Sequence, residues 1–77
     1  IKTMKTLLND ENVVLAKGSY AFKADGALEI QSQFGDEVFS TMTDGVVTEA
    51  SDFILKLPAC ALKVVNAGAN SLIISEV

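Results

Sequence analysis

The chain has no histidine, no tryptophan and no arginine, with a single cysteine and a single proline. Each absence removes a class of chemistry. Without His there is no imidazole base to activate a Ser or Cys, and a zinc site would have to draw nearly every ligand from carboxylates. Without Arg, and with a net charge of −4, the surface offers phosphate no guanidinium fork and little positive field, so nucleic-acid binding is not expected. One cysteine cannot build a disulfide framework. Cys60 lies in an alternating run with Leu62 and Val64 and reads as a buried thiol, ahead of an intermolecular link or a reactive group. No apolar run approaches the roughly 18 residues that a membrane-spanning helix needs, and no basic segment leads into an apolar one, so a soluble, untargeted chain is expected.

What is present is a short chain rich in apolar residues. Its 77 residues, 49% of them hydrophobic, fit one domain (1–77) near the lower limit of independent stability. A domain of this size buries only about 60% of the surface its unfolded chain exposes. Packing against a neighbour would add burial, so a homo-oligomer, for instance a trimer, or attachment to a larger assembly is expected.

Strand signals recur about every ten residues, bounded by Gly, Asn and Asp, which predicts an all-β domain: a small antiparallel β-sandwich or β-barrel of about 7–8 short strands. Ile1–Leu8 reads as an edge strand or extended arm, within a segment 1–12 that turns at Asn9–Asn12. Val13–Lys17 is the next strand. Tyr20, Phe22 and Ala24 then mark one face of another, and Asp25-Gly26 predicts a type I′ hairpin leading into Leu28, Ile30 and Phe34. Asp44-Gly45 predicts a second turn, between Val38–Thr43 and Val46–Glu49. Ala50-Ser51-Asp52 is also compatible with a helix cap, but Phe53, Leu55 and Leu57 have period two and stop at Pro58, so a strand is preferred. Ala59–Asn66 and Ser71–Val77 are expected to pair across Ala67-Gly68-Ala69-Asn70. Leu55, Leu57, Leu62, Val64, Leu72 and Ile74 should face inward, with Cys60 beside them.

The segments GSYAF (18–22), LEIQSQF (28–34), FILKLPA (53–59) and LKVVNAGANSLIIS (62–75) together resemble small β-sandwich proteins that tailed bacteriophages build into their virions. In those decoration, cement or head-fibre components an aromatic strand is followed by a short strand–turn–strand and a final extended pair. The resemblance runs from about Val13 to Val77. It implies a noncatalytic virion protein whose partners are the major capsid protein or other virion proteins, and it assigns no individual functional residue.

Other chemistry has little raw material. Asp36, Glu37 and Asp44 flank one predicted hairpin-like segment, and Asp25 and Glu29 flank another. These carboxylates read first as solvated turn charges, then as weak Ca²⁺ ligands, and last as a general acid–base pair, which would require a separation of about 5–9.5 Å. There is no G-x-S-x-G elbow, and the glycines are too scattered for a phosphate loop. Phe22, Phe34, Phe39 and Phe53 are expected in the core and Tyr20 at a half-buried rim. Ser32, Ser40, Thr41, Thr43, Thr48 and Ser51 suit sheet faces or a fixed protein interface. No catalytic, cofactor-binding or metal-binding residue is assigned, and no cofactor, nucleic acid or membrane is expected. The leading expectation is an accessory virion subunit that decorates or cements a capsid. The alternatives are a host- or glycan-binding module at a fibre or tail position and, third, a small carboxylate-dependent glycosidase.

Overall fold

The computed structural model describes residues 4–77. The first three residues of the expected N-terminal strand or arm lie outside the described residues. Eight strands follow one another: β1 (Met4–Leu7), β2 (Asn12–Leu15), β3 (Gly18–Ala24), β4 (Leu28–Gln33), β5 (Ser40–Val47), β6 (Ser51–Leu57), β7 (Cys60–Val65) and β8 (Leu72–Glu76). They form two four-stranded sheets, ordered β1-β8-β3-β6 and β2-β7-β4-β5. All neighbours are antiparallel.

The pairs β4–β5, β3–β6, β2–β7 and β1–β8 describe one long hairpin with its tip between β4 and β5, rolled so that successive rungs fall alternately in the two sheets. Pairing of β3 with β8 and of β4 with β7 closes the roll. This is the eight-stranded jelly-roll arrangement of the β-sandwich.

Alternation builds the core. Tyr20, Phe22 and Ala24 on β3, Leu72 and Ile74 on β8, and Leu7 on β1 point inward from the first sheet. Cys60, Leu62 and Val64 on β7, Leu28 and Ile30 on β4, and Val47 on β5 meet them from the second. Phe22 and Phe53 are a cross-strand pair whose rings stack with centroids 5.4 Å apart and planes 7° from parallel, an offset geometry that suits the ring quadrupoles. Leu57, Leu62, Val64, Leu72, Ile74 and Cys60 are buried as their period requires, and Leu55 is half-buried against the same cluster. Among the described residues, no buried side-chain nitrogen or oxygen lacks a hydrogen-bond partner.

Three predicted turns take another form. Asp25-Gly26 joins strands in different sheets, so it is a corner and not a hairpin. The Asp25 carboxylate accepts hydrogen bonds from the Ser71 amide (2.7 Å) and hydroxyl (3.3 Å), and Asn70 donates its side-chain amide to the Ala27 carbonyl (2.9 Å). A Cβ on Gly26 would lie 2.6 Å from the Asn70 side chain, so the residue serves a close crossing.

The 67–70 segment is the opposing corner: β7 and β8 lie in different sheets and do not pair with each other. Asp44-Gly45 lies inside β5, where the register jumps from Glu29↔Val46 to Gln31↔Thr41. The extra residues form a bulge, and a Cβ on Gly45 would come within 2.5 Å of the Ile30 carbonyl oxygen.

Three aromatic assignments also change. Phe34 follows the end of β4 and is 40% exposed, and Phe39 is half-buried with the Lys63 ammonium 5.7 Å from its ring centroid. Tyr20 is buried, not at a rim, because its hydroxyl donates to the Ala16 carbonyl (2.5 Å) and so needs no water.

Two predictions follow from the packing. Leu62 is 0% exposed whereas Val14, on the outer face of the adjacent strand, is 82% exposed. Chemical denaturation of Leu62→Ala should therefore show a loss of about 2–5 kcal/mol. Val14→Ala should stay within about 0.5 kcal/mol of the parent. An unchanged midpoint for Leu62→Ala would contradict the facing assignment.

Burial also pushes the Cys60 thiol above its ordinary value of 9.0. The native state then holds the thiol proton more tightly than the unfolded chain does. The thiol contributes no pH dependence near neutrality and lowers stability as pH rises above about 9. The difference in stability between the parent and Cys60→Ala should be flat from pH 6 to 8 and shift in favour of the variant at higher pH, measured by denaturation at each pH.

Candidate functional site

The carboxylates singled out in the sequence do not converge. Asp25 stands at the corner before β4, whereas Asp36 and Glu37 lie in the loop after it. The intervening strand of six residues spans about 20 Å. Asp25 is committed to Ser71, and Glu29 accepts from the Asn66 side-chain amide and, at 3.5 Å, from the Thr41 hydroxyl. Asp44 sits on the bulge of β5. Among the described residues there is no group of three or more His, Cys, Asp or Glu side chains placed to hold a metal ion. Cys60 faces the filled interior with its thiol pushed toward the neutral form, the opposite of an activated nucleophile.

The small polar residues scatter likewise. Ser32 is buried on β4, Ser51 is half-buried at the start of β6, and Ser40, Thr41, Thr43 and Thr48 are exposed around β5.

The two outward faces differ in character. The second sheet presents a polar central row, Asn12, Lys63, Gln31 and Thr41, between two mixed rows: Val14, Ala61 and Gln33 on one side, and Val65, Glu29 and Val46 on the other. The polar row is ordinary solvated surface, and the exposed Val14 and Val46 stand apart on opposite sides of it. The first sheet presents a row Met4, Ser75, Ala21, Ile54 and a second row Thr6, Ile73, Lys23, Asp52.

In the first of these rows two small side chains occupy the central strands and two large apolar ones the edges. The result is a trough of about 700 Å³ with Met4 and Ile54 as walls and Ile73 beside its floor. Met4 is 70% exposed and Ile54 64% exposed. Lys23 and Asp52, a cross-strand pair of opposite charge, form one polar margin. The chemistry available here is contact: apolar burial with a charged border and no reacting group.

A period of two in the sequence does not by itself mark this face. The signal is nevertheless present. Phe53-Ile54-Leu55 and Leu72-Ile73-Ile74 are unbroken apolar triplets in otherwise alternating strands, as expected where both faces of a sheet are to be covered. No family model, no curated protein and no solved structure matches the chain, and the functional case rests on its own residues.

Proposed function

We propose that this chain is a noncatalytic structural subunit that attaches to a larger assembly through the outer face of its first sheet. The observation that carries the reading is the apolar trough on that face, walled by the exposed side chains of Met4 and Ile54 with Ile73 beside its floor, which water solvates poorly. The interior is packed with Leu, Ile, Val and Phe side chains and carries no reacting group, so recognition is assigned to the surface. Together with the resemblance of the strand segments to small virion proteins, the assembly we favour is a tailed-phage particle, on which repeated copies decorate or cement the capsid. Many modest contacts on a lattice would then supply the avidity.

Glycan binding has less support. It needs exposed aromatic platforms beside polar groups, whereas the trough has aliphatic walls, Phe39 is half-buried with the Lys63 ammonium over its ring, and Phe34 is a single partly exposed ring.

The test uses isolated virions of the source phage. The chain should co-sediment with them, and Ile73→Asp should remain folded, with the new carboxylate opposite Lys23, yet lose retention at least about tenfold. A parent chain that stays in the soluble fraction, or a variant retained like the parent, would overturn the proposal. Retention should also survive nuclease treatment, because a chain of net charge −4 is not held through nucleic acid.

A further inference from the structure

Each sheet of an open sandwich has two edges, and unpaired backbone groups on an edge invite another strand. Three of the four edges here are blunted. Among the described residues β1 and β2 are four residues long, and β5 is broken by its bulge at Asp44-Gly45. The fourth edge is β6. It has seven residues, keeps an unbroken register with β3 from Ser51 to Leu57, and has no Pro or Gly until Pro58 ends it.

We infer that β6 pairs with the β6 of a second copy, antiparallel about a twofold axis at Ile54, to make one continuous eight-stranded sheet. The strand reads Ser-Asp-Phe-Ile-Leu-Lys-Leu, and in that register its residues are self-complementary. Asp52 of each copy meets Lys56 of the other, so two opposite-charge pairs form on the outer face. Phe53 meets Leu55 twice on the inner face, and Ile54 meets itself. Charge complementarity therefore selects a second copy of this chain as the occupant. A shift of register by two residues in either direction breaks both charge pairs at once.

Burial points the same way. Phe53 and Leu55 are core-facing yet only half-buried, because the sheet ends beside them. A neighbouring strand would cover the exposed remainder. The symmetry also matters for the outer surface. A twofold axis perpendicular to the sheet keeps the outer faces of both copies on the same side. The Ile54 walls then become the centre of one apolar surface that runs from Met4 of one copy to Met4 of the next. The inference stands on the edge and its charges and does not depend on what the trough binds.

Reversal of charge tests it. Sedimentation equilibrium at tens of micromolar should find a dimer for the parent chain. Lys56→Asp, which opposes only Ser19 within its own sheet, should weaken the dimer at least about tenfold by setting Asp against Asp52 of the second copy. Asp52→Lys should do the same, and the double variant Asp52→Lys with Lys56→Asp should restore dimerisation. Circular dichroism of each variant verifies that the sandwich is intact.

An independent arm fixes the register. Ile54→Cys in a Cys60→Ala background should cross-link to itself on oxidation, since directly opposed residues lie about 4.5–5.5 Å apart between Cα atoms, within disulfide reach. Lys56→Cys in the same background should cross-link poorly, because it faces residue 52. A monomeric parent, a Lys56→Asp dimer as tight as the parent's, a double variant that stays monomeric, or equal cross-linking at 54 and 56 would overturn the inference.

Discussion

The Asp25 carboxylate and the residues it holds set the form of this molecule. With one oxygen on the Ser71 amide and the other on the Ser71 hydroxyl, it ties the β3–β4 corner to the β7–β8 corner, and Asn70 returns the connection through the Ala27 carbonyl. The β1–β2 corner joins the same end. There the Asp10 amide donates to the Val64 carbonyl, the Val64 amide donates to the Glu11 carbonyl, and the Ala67 amide donates to the Asn9 side chain. Laced in this way, three corners send consecutive strands to opposite sheets, and the chain rolls up as a ribbon instead of folding as a row of hairpins. The core depends on that outcome, because Phe22 reaches Phe53 and Ile74 only if β3 lies between β6 and β8.

The corners explain how far the sequence can be read. A period of two determines which side of a strand faces the core, and that is why Leu57, Cys60, Leu62, Val64, Leu72 and Ile74 can be placed inward before any coordinates are known. The same period is silent about which sheet a strand joins. Asp25-Gly26 has the composition of a hairpin turn and also of a tight corner. What decides between them is the partner forty-six residues away, which local sequence does not display. Asp44-Gly45 is a bulge for a similar reason, since the close approach of the Ile30 carbonyl is a tertiary fact. Phe34 looks like one more inward position on the β4 alternation, but the strand ends at Gln33 and releases it.

Function, in this account, follows from where the roll leaves surface uncovered. The interior is occupied by aliphatic and aromatic side chains, and the carboxylates are spent on corners or spread over opposite ends. The uncovered surface includes one outer sheet face on which Met4, Ile54 and Ile73 gather around a trough, and one regular edge at β6. The two features meet at Ile54, which both walls the trough and occupies the middle of the free edge. A small domain that buries too little surface on its own gains most from neighbours at such places. A structural subunit would thus obtain part of its stability from the assembly it joins.

If β3 and β4 formed the hairpin that their sequence suggests, β6 would lose its place at the sheet edge and the trough would not exist. The rolled topology is therefore the central claim, and backbone nuclear Overhauser contacts in solution test it most directly. The account predicts cross-strand contacts from Phe22 to both Phe53 and Ile74 and from Ile30 to Val64, with no ladder between β3 and β4. A ladder pairing Ala24 with Ala27 and Phe22 with Glu29, as a two-residue Asp25-Gly26 turn would produce, would contradict it.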